Sequence, residues 1–241
     1  MSESDIPSST DDFDFFDAIY RGDGPFDRAP WDIGGPQPAY VDLEAAGGIT
    51  GGVLDCGCGT GDNALFLASK GYTVIGVDRA PTAIAIAREK ARQRGLAATF
   101  DTADALELAD YPRQFDTVID SGLAHVFESP GDLARYAAAL HRSCRGGARA
   151  YVLALSDRAP AYLRDEHGDM VARIADKLGG TELQLDRMLP ALTPDALRSG
   201  FAAGWSAESI DTAVVRSVLP FQTESVDLPA WLGSFRAVAD K

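Results

Sequence analysis

"VLDCGCGTGDNALFLASKG", residues 53–71, sets an apolar run against three glycines at alternate positions, Gly57, Gly59 and Gly61, and continues into a helix-like pattern. Glycines between a strand and a helix let the backbone approach a ligand closely, and in an open α/β sheet that first turn lines the ligand crevice. The pattern then repeats along the chain. Val53 to Cys56 reads as a strand, Asp62 to Ser69 as a helix, Thr73 to Val77 as a second strand, and Pro81 to Arg94 as a helix with proline in its first turn. "AATFD" from residue 97 and "FDTVID" from 115 read as strands. "SPGDLARYAAALHRSCRGG" from 129 reads as a capped helix with Leu133, Tyr136, Ala137, Leu140 and Cys144 on one stripe, and "ARAYVLAL" from 148 as a fifth strand. Such alternation implies parallel strands joined by right-handed crossovers, hence a doubly wound α/β sheet, mostly parallel and seven-stranded, with helices on both faces. The last two strands are "WSAESIDTAVV" from 205 and "AWLGSFRAV" from 230, although the second also fits a helical period.

Outside this frame lie three less regular stretches. Residues 1–12 are polar and acidic and are expected to form a disordered tail. Residues 13–45 carry seven aromatics between Phe13 and Tyr40 among glycine and proline, the composition of an arm or lid that covers something. Residues 157–192 are helix-like but polar and read as an insertion near the mouth of the sheet, on the substrate side. Residues 13–241 are expected to be a single domain.

The chain has 241 residues, 46% of them hydrophobic, with 22 Lys plus Arg against 36 Asp plus Glu and a formal net charge of −14. A phosphate backbone would be repelled over most of such a surface, so nucleic acid is not expected as a partner. No apolar run reaches membrane-spanning length and the N-terminus lacks the pattern of a signal peptide, so neither membrane association nor export is expected and the chain is expected in the cytoplasm. The three cysteines, Cys56, Cys58 and Cys144, read as reduced thiols, and no second Cys/His pair completes a zinc site. No metal is expected, and the oligomeric state is not legible.

The glycine loop is a poor phosphate cradle. A dinucleotide fingerprint needs its third glycine at position 62, where Asp62 stands, and no Gly-Lys-Ser/Thr closes the loop as a nucleotide-triphosphate site requires. Asp55, at the end of the first strand, would oppose a pyrophosphate and suits a cation. Asp78 ends the second strand 21 positions after Gly57, where a carboxylate accepts hydrogen bonds from both ribose hydroxyls of an adenosine. Asp104 follows the third strand, placed to meet an adenine amino group, with the Ala105 backbone at the ring edge. These carboxylates together describe a ligand with an ammonium, a ribose and an adenine, and no phosphate. His125 follows the fourth strand, which puts it at the ligand mouth as a base, a substrate orienter or a structural histidine. His141 reads as a solvated surface residue.

"VLDCGCGTG", "VIGVD", "DALEL" and "FDTVID", in this order and spacing, resemble the class I S-adenosylmethionine-dependent methyltransferases from about residue 30 onward. "PWDIGGPQPAY", "DSGLAHVF" and "LHRSCRGGARAYVLALSD" look like the thiopurine-methyltransferase-like branch that includes mycobacterial benzoquinone and heterocyclic toxin (hydroxyquinolone) methyltransferases. The resemblance implies S-adenosylmethionine as cofactor, S-adenosylhomocysteine as product and a small aromatic or heterocyclic acceptor, methylated at a hydroxyl or, as the alternative, at nitrogen or sulfur. It implies Asp55, Gly57 and Gly59 along the methionine part, Asp78 and Arg79 at the ribose and adenine, and Asp104, Ala105 and Leu106 at the adenine. Asp120 and Ser121 would floor the sulfonium, with Tyr20 and Trp31 covering the methionine end. A nicotinamide-dependent oxidoreductase and a non-catalytic adenosine-ligand binding protein remain as rival classes at this point.

Overall fold

The computed structural model of the chain describes residues 12–23, 28–127, 129–177 and 189–238. The expected polar tail, apart from Asp12, and part of the insertion lie outside the described residues.

Seven strands form one sheet: β1 Gly52–Cys56, β2 Thr73–Asp78, β3 Ala98–Thr102, β4 Phe115–Ser121, β5 Cys144–Leu155, β6 Trp205–Ser217 and β7 Val226–Ala237, in the order β3-β2-β1-β4-β5-β7-β6. β1 to β5 are parallel, and β7 runs antiparallel between β5 and β6. Consecutive strand residues serve opposite cores: Leu54, Val118 and Val152 enter one, while Val53, Ile119 and Leu153 enter the other. Both faces of the central strands are thus covered, which is why these strands read as unbroken apolar runs.

The helices are α1 Asp12–Arg21, α2 Pro38–Ala45, α3 Asp62–Ser69, α4 Pro81–Arg94, α5 Pro130–Ser143, α6 Ala159–Glu166, α7 Gly168–Lys177 and α8 Pro194–Gly200. α5 and α8 start on side-chain caps, Ser129 accepting the Asp132 amide at 3.0 Å and Thr193 accepting the Ala196 amide at 3.1 Å, each followed by proline at the first helical position. Gly95, with φ +64°, ends α4. Tyr136 and Leu140 of α5 pack with Phe201 and Phe235 on one face of the sheet, and Leu65, Ile84, Phe100 and Tyr40 on the other.

Residues 230–237 form a strand and not a helix. Register with β5 on one side and β6 on the other satisfies the backbone of β7 along its length, a long-range gain invisible to local periodicity. His141 stays partly exposed, as expected of a surface residue, but it is also tethered. Its Nε2–H donates to the Val238 carbonyl at 2.9 Å and its ring meets Trp205 edge-on at 5.7 Å, so the start of β6 and the residue after β7 hold it in place.

Candidate active site

The end of β1 bends back over β2 because the amides of Gly57 and Cys58 both donate to the Val77 carbonyl, at 2.8 and 3.0 Å. Gly59 sits at φ +52°, and a Cβ there would lie 2.7 Å from the Tyr20 hydroxyl, so a side chain at this position would be strained and would displace that ring from the loop. The Gly59 amide donates to Asp78 Oδ2 at 2.8 Å, and Asp78 Oδ1 accepts the Ala80 amide at 2.9 Å. One carboxylate therefore ties the glycine loop to the start of α4 and keeps a second lone pair on each oxygen for a ligand. Burial raises its pKa.

Asp55 is fully buried at the foot of the loop. Its Oδ2 accepts the Ala64 amide at 3.0 Å, capping α3 in place of Gly61, which has no side chain to offer. Its Oδ1 is buried without a partner. Burial, with the Asp120 and Asp78 carboxylates nearby, pushes its pKa up to about 8. A buried carboxylate oxygen without a donor is an unmet demand, which a cationic ligand group answers.

The arm closes this half of the site. The Trp31 indole donates to the Tyr20 hydroxyl at 2.7 Å, and Phe16 meets Trp31 edge-on at 5.8 Å. Burial and the Asp78 carboxylate hold the Tyr20 phenol well above its usual pKa, so it stays neutral. Thr60 donates to Asp32 at 2.9 Å, Lys90 pairs with Asp62 at 2.6 Å, and Val218 after β6 donates to the Pro30 carbonyl at 2.8 Å. The arm thus runs from the glycine loop to the far end of the mouth.

At the neighbouring strand ends, Asp104 Oδ1 accepts the Leu106 amide at 2.9 Å and shapes the turn in which Ala105 is buried. Arg79 Nε lies 4.0 Å from Asp104 Oδ2, both side chains partly exposed. Past β4, Asp120 faces inward. Its Oδ1 accepts the Leu123 amide at 2.8 Å, and its Oδ2 accepts the Ala124 amide at 3.0 Å and the Tyr136 hydroxyl at 2.8 Å. Burial pushes its pKa up to about 7. The Asp120 carboxylate holds the 3-10 turn Ala124–Val126, and Ser121, half-buried at the end of β4, leads into that bend. In this turn His125 Nδ1 accepts the Leu155 amide at 3.2 Å. A backbone N–H can only donate, so the ring's lone pair is on Nδ1 and its proton on Nε2. Burial lowers the His125 pKa to about 4.

Residues 53–147 match the family model of the methyltransferase domain. The 2-heptyl-1-hydroxyquinolin-4(1H)-one methyltransferase of Mycobacteroides abscessus is 42% identical over 151 residues, 61% of this chain and 65% of that enzyme, so the match spans less than two thirds of the relative. A solved structure concerned with the conversion of a disulfide bond into a thioacetal group during echinomycin biosynthesis is 51% identical, covers 94% of this chain and 92% of that one, and superposes with a TM-score of 0.85. The chain belongs to the S-adenosylmethionine-dependent methyltransferases. A methyltransferase from Anabaena variabilis, 16% identical over 98% of both chains with a TM-score of 0.70, shares the fold.

Family and fold imply S-adenosylmethionine as the cofactor of this methyltransferase, and the residues present fit it. The unpartnered Asp55 oxygen, the tight loop at Gly59 in its left-handed conformation, and carboxylates at successive strand ends match an ammonium, a close backbone approach and an adenosine. Among the described residues no cluster of three or more His, Cys, Asp or Glu is placed to hold a metal. Among the described residues, too, no helix is long and apolar enough to cross a membrane.

Several residues that build this candidate site escaped the sequence reading. Asp17, Asp32 and Lys90 hold the arm and loop, and Tyr40 and Tyr136 grip Asp120 from the two sides of the sheet, Tyr40 donating to its carbonyl. Tyr136 carried a signal as a hydroxyl-bearing member of an apolar helix stripe, and Tyr40 as the last aromatic of the arm, but neither pointed to Asp120.

Proposed function

We propose that the methyltransferase transfers a methyl group to a small aromatic or heterocyclic acceptor that arrives already nucleophilic, foremost an ionised ring hydroxyl, without a metal and in the cytoplasm. The observation that carries this reading is the Leu155 amide on His125 Nδ1. With that lone pair engaged and the proton on Nε2, the histidine offers a donor and no base. When bound, S-adenosylmethionine supplies a methyl group on a positively charged sulfur. The chain's own task is then alignment and exclusion of water. Asp55, Gly57 and Gly59 hold the methionine part; Asp78, Arg79, Asp104, Ala105 and Leu106 hold the adenosine. Tyr20 and Trp31 close over the loop, where an aromatic face also favours a sulfonium. His125 Nε2–H orients the acceptor oxygen, and Asp120 and Ser121 form the bend that positions the histidine. The name of the mycobacterial relative, a hydroxyquinolone methyltransferase, supports a ring hydroxyl.

A second reading is a sulfur acceptor. It is favoured by the 51% identical relative, whose match runs through the acceptor side of the fold and whose described chemistry begins at a disulfide. Both acceptors share the property that no enzymatic base is required. The test is S-adenosylhomocysteine formation with a panel of 2-heptyl-1-hydroxyquinolin-4-one, simple phenols, quinols, thiols and a cyclic disulfide, at several pH values. The expected result is turnover whose rate follows the ionised fraction of a hydroxyl acceptor. Tight S-adenosylhomocysteine binding with no turnover on the whole panel would instead return the chain to a binding role.

A further inference from the structure

β7 runs antiparallel to β5, with Leu155 opposite Ala230, and pairs Val226 with Ser217 of β6. The turn between β6 and β7 therefore lies at the carboxyl ends of the parallel strands, the same edge of the sheet from which the His125 bend leaves β4. In that turn Phe221 has φ +65°. A bulky side chain in the left-handed region is a genuine outlier, because its Cβ crowds the backbone where glycine would rest without strain. The same ring is 41% exposed, one of few large apolar side chains left in water among the described residues. It is not left loose. The Arg173 guanidinium of α7 stands 4.2 Å from the ring centroid, and the Gln222 amide meets His167 Nδ1 at 3.4 Å, so the hairpin tip is fastened to the insertion at two successive residues.

A residue kept for packing would bury this ring, and one kept for the turn would be glycine. Strain that persists under outside support marks a position held for what it presents. We infer that Phe221 is an acceptor-recognition residue: its ring is held, with Arg173 fixing its orientation, to stack on the flat aromatic or heteroaromatic ring of the methyl acceptor. This rests on the reading of a small aromatic acceptor given above and adds the residue that selects it.

The test compares Phe221→Gly, which removes the ring and relieves the backbone, with Phe221→Tyr, which keeps the ring. The acceptor is whichever panel compound the wild-type enzyme methylates, so wild-type turnover decides the broader reading before any variant is scored. Loss of one stacked ring is expected to raise the acceptor KM of Phe221→Gly about tenfold, with kcat and S-adenosylhomocysteine affinity within about twofold of wild type. Its melting temperature should not fall, since glycine suits a positive φ. Phe221→Tyr should keep the wild-type KM. An unchanged acceptor KM in Phe221→Gly overturns the inference, as does a loss of acceptor and cofactor affinity in parallel, which would make Phe221 a structural prop.

Discussion

Asp17 of α1 accepts the Thr82 amide at 2.9 Å, in the first turn of α4. α4 begins on Ala80, which has no side-chain cap to offer, so the N-terminal arm supplies it from outside. Asp17 is 4% exposed and paired with Arg21. Asp17→Ala should lower stability by about 1 kcal/mol, the usual loss of a helix cap, and Asp17→Asn much less. Because α4 follows the Asp78 turn, the alanine variant should also open the arm to protease and weaken S-adenosylhomocysteine. Unchanged cleavage of the arm would show that the aromatic packing alone holds it.

Asp78 links the Gly59 amide, the Ala80 amide and the proposed ribose site. Asp78→Ala should weaken S-adenosylhomocysteine binding by roughly 1.5–3 kcal/mol, about ten- to a hundredfold or more, since a charged acceptor is lost. Calorimetry on folded variant reads this directly. Full affinity in the variant would remove Asp78 from the ribose.

Asp55 carries opposite consequences for folding and for binding. Its folded pKa of about 8 lies above the usual 3.8, so the folded chain without ligand holds a proton there that the unfolded chain has released. The stability contributed by that proton is fully present below about pH 4 and is lost as pH rises through about 8. Asp120, with a folded pKa of about 7, acts in the same direction over a narrower window. Asp55→Asn should therefore raise the melting temperature of the ligand-free protein at pH 8 more than at pH 4, while weakening S-adenosylhomocysteine. A stabilisation equal at both pH values would contradict the assigned proton.

His125 should show itself in the split between kcat and KM. Methyl transfer neutralises an oxyanion, so an Nε2–H donor holds the ionised acceptor more tightly before the reaction than at its transition state. His125→Ala should raise the acceptor KM about ten- to a hundredfold, as for a hydrogen bond to a charged group, and leave kcat unchanged or somewhat higher. A general base would instead cost about 10²–10⁴ in kcat. With the histidine pKa at about 4, no histidine limb should appear between pH 5 and 8 in the wild-type profile.

What could be read from the sequence was local. The Gly57–Gly61 loop, Asp78 at the end of β2 and the crossover helices announce themselves within windows of about 20 residues, because strand, turn and helix there are continuous in the chain. The His125 tautomer depends on the Leu155 amide 30 residues on, and the inward direction of Asp120 on Tyr136, 16 residues on. Neither partner can be inferred before the sheet brings β4, β5 and α5 together. The same holds for Asp17, whose partner is 65 residues away, and for Phe221, whose conformation leaves no trace in a run such as "LPFQTES".

Cys56, Cys58 and Cys144 are all buried, and burial raises each thiol pKa, that of Cys144 to about 12. Thiolates are the species that add to quinones and exchange with disulfides, and at neutral pH these three sulfurs stay protonated and out of reach. Cys56 and Cys58, beside the glycine loop, are walled off in this way, so sulfur sits next to the candidate site without offering a thiolate to whatever enters it.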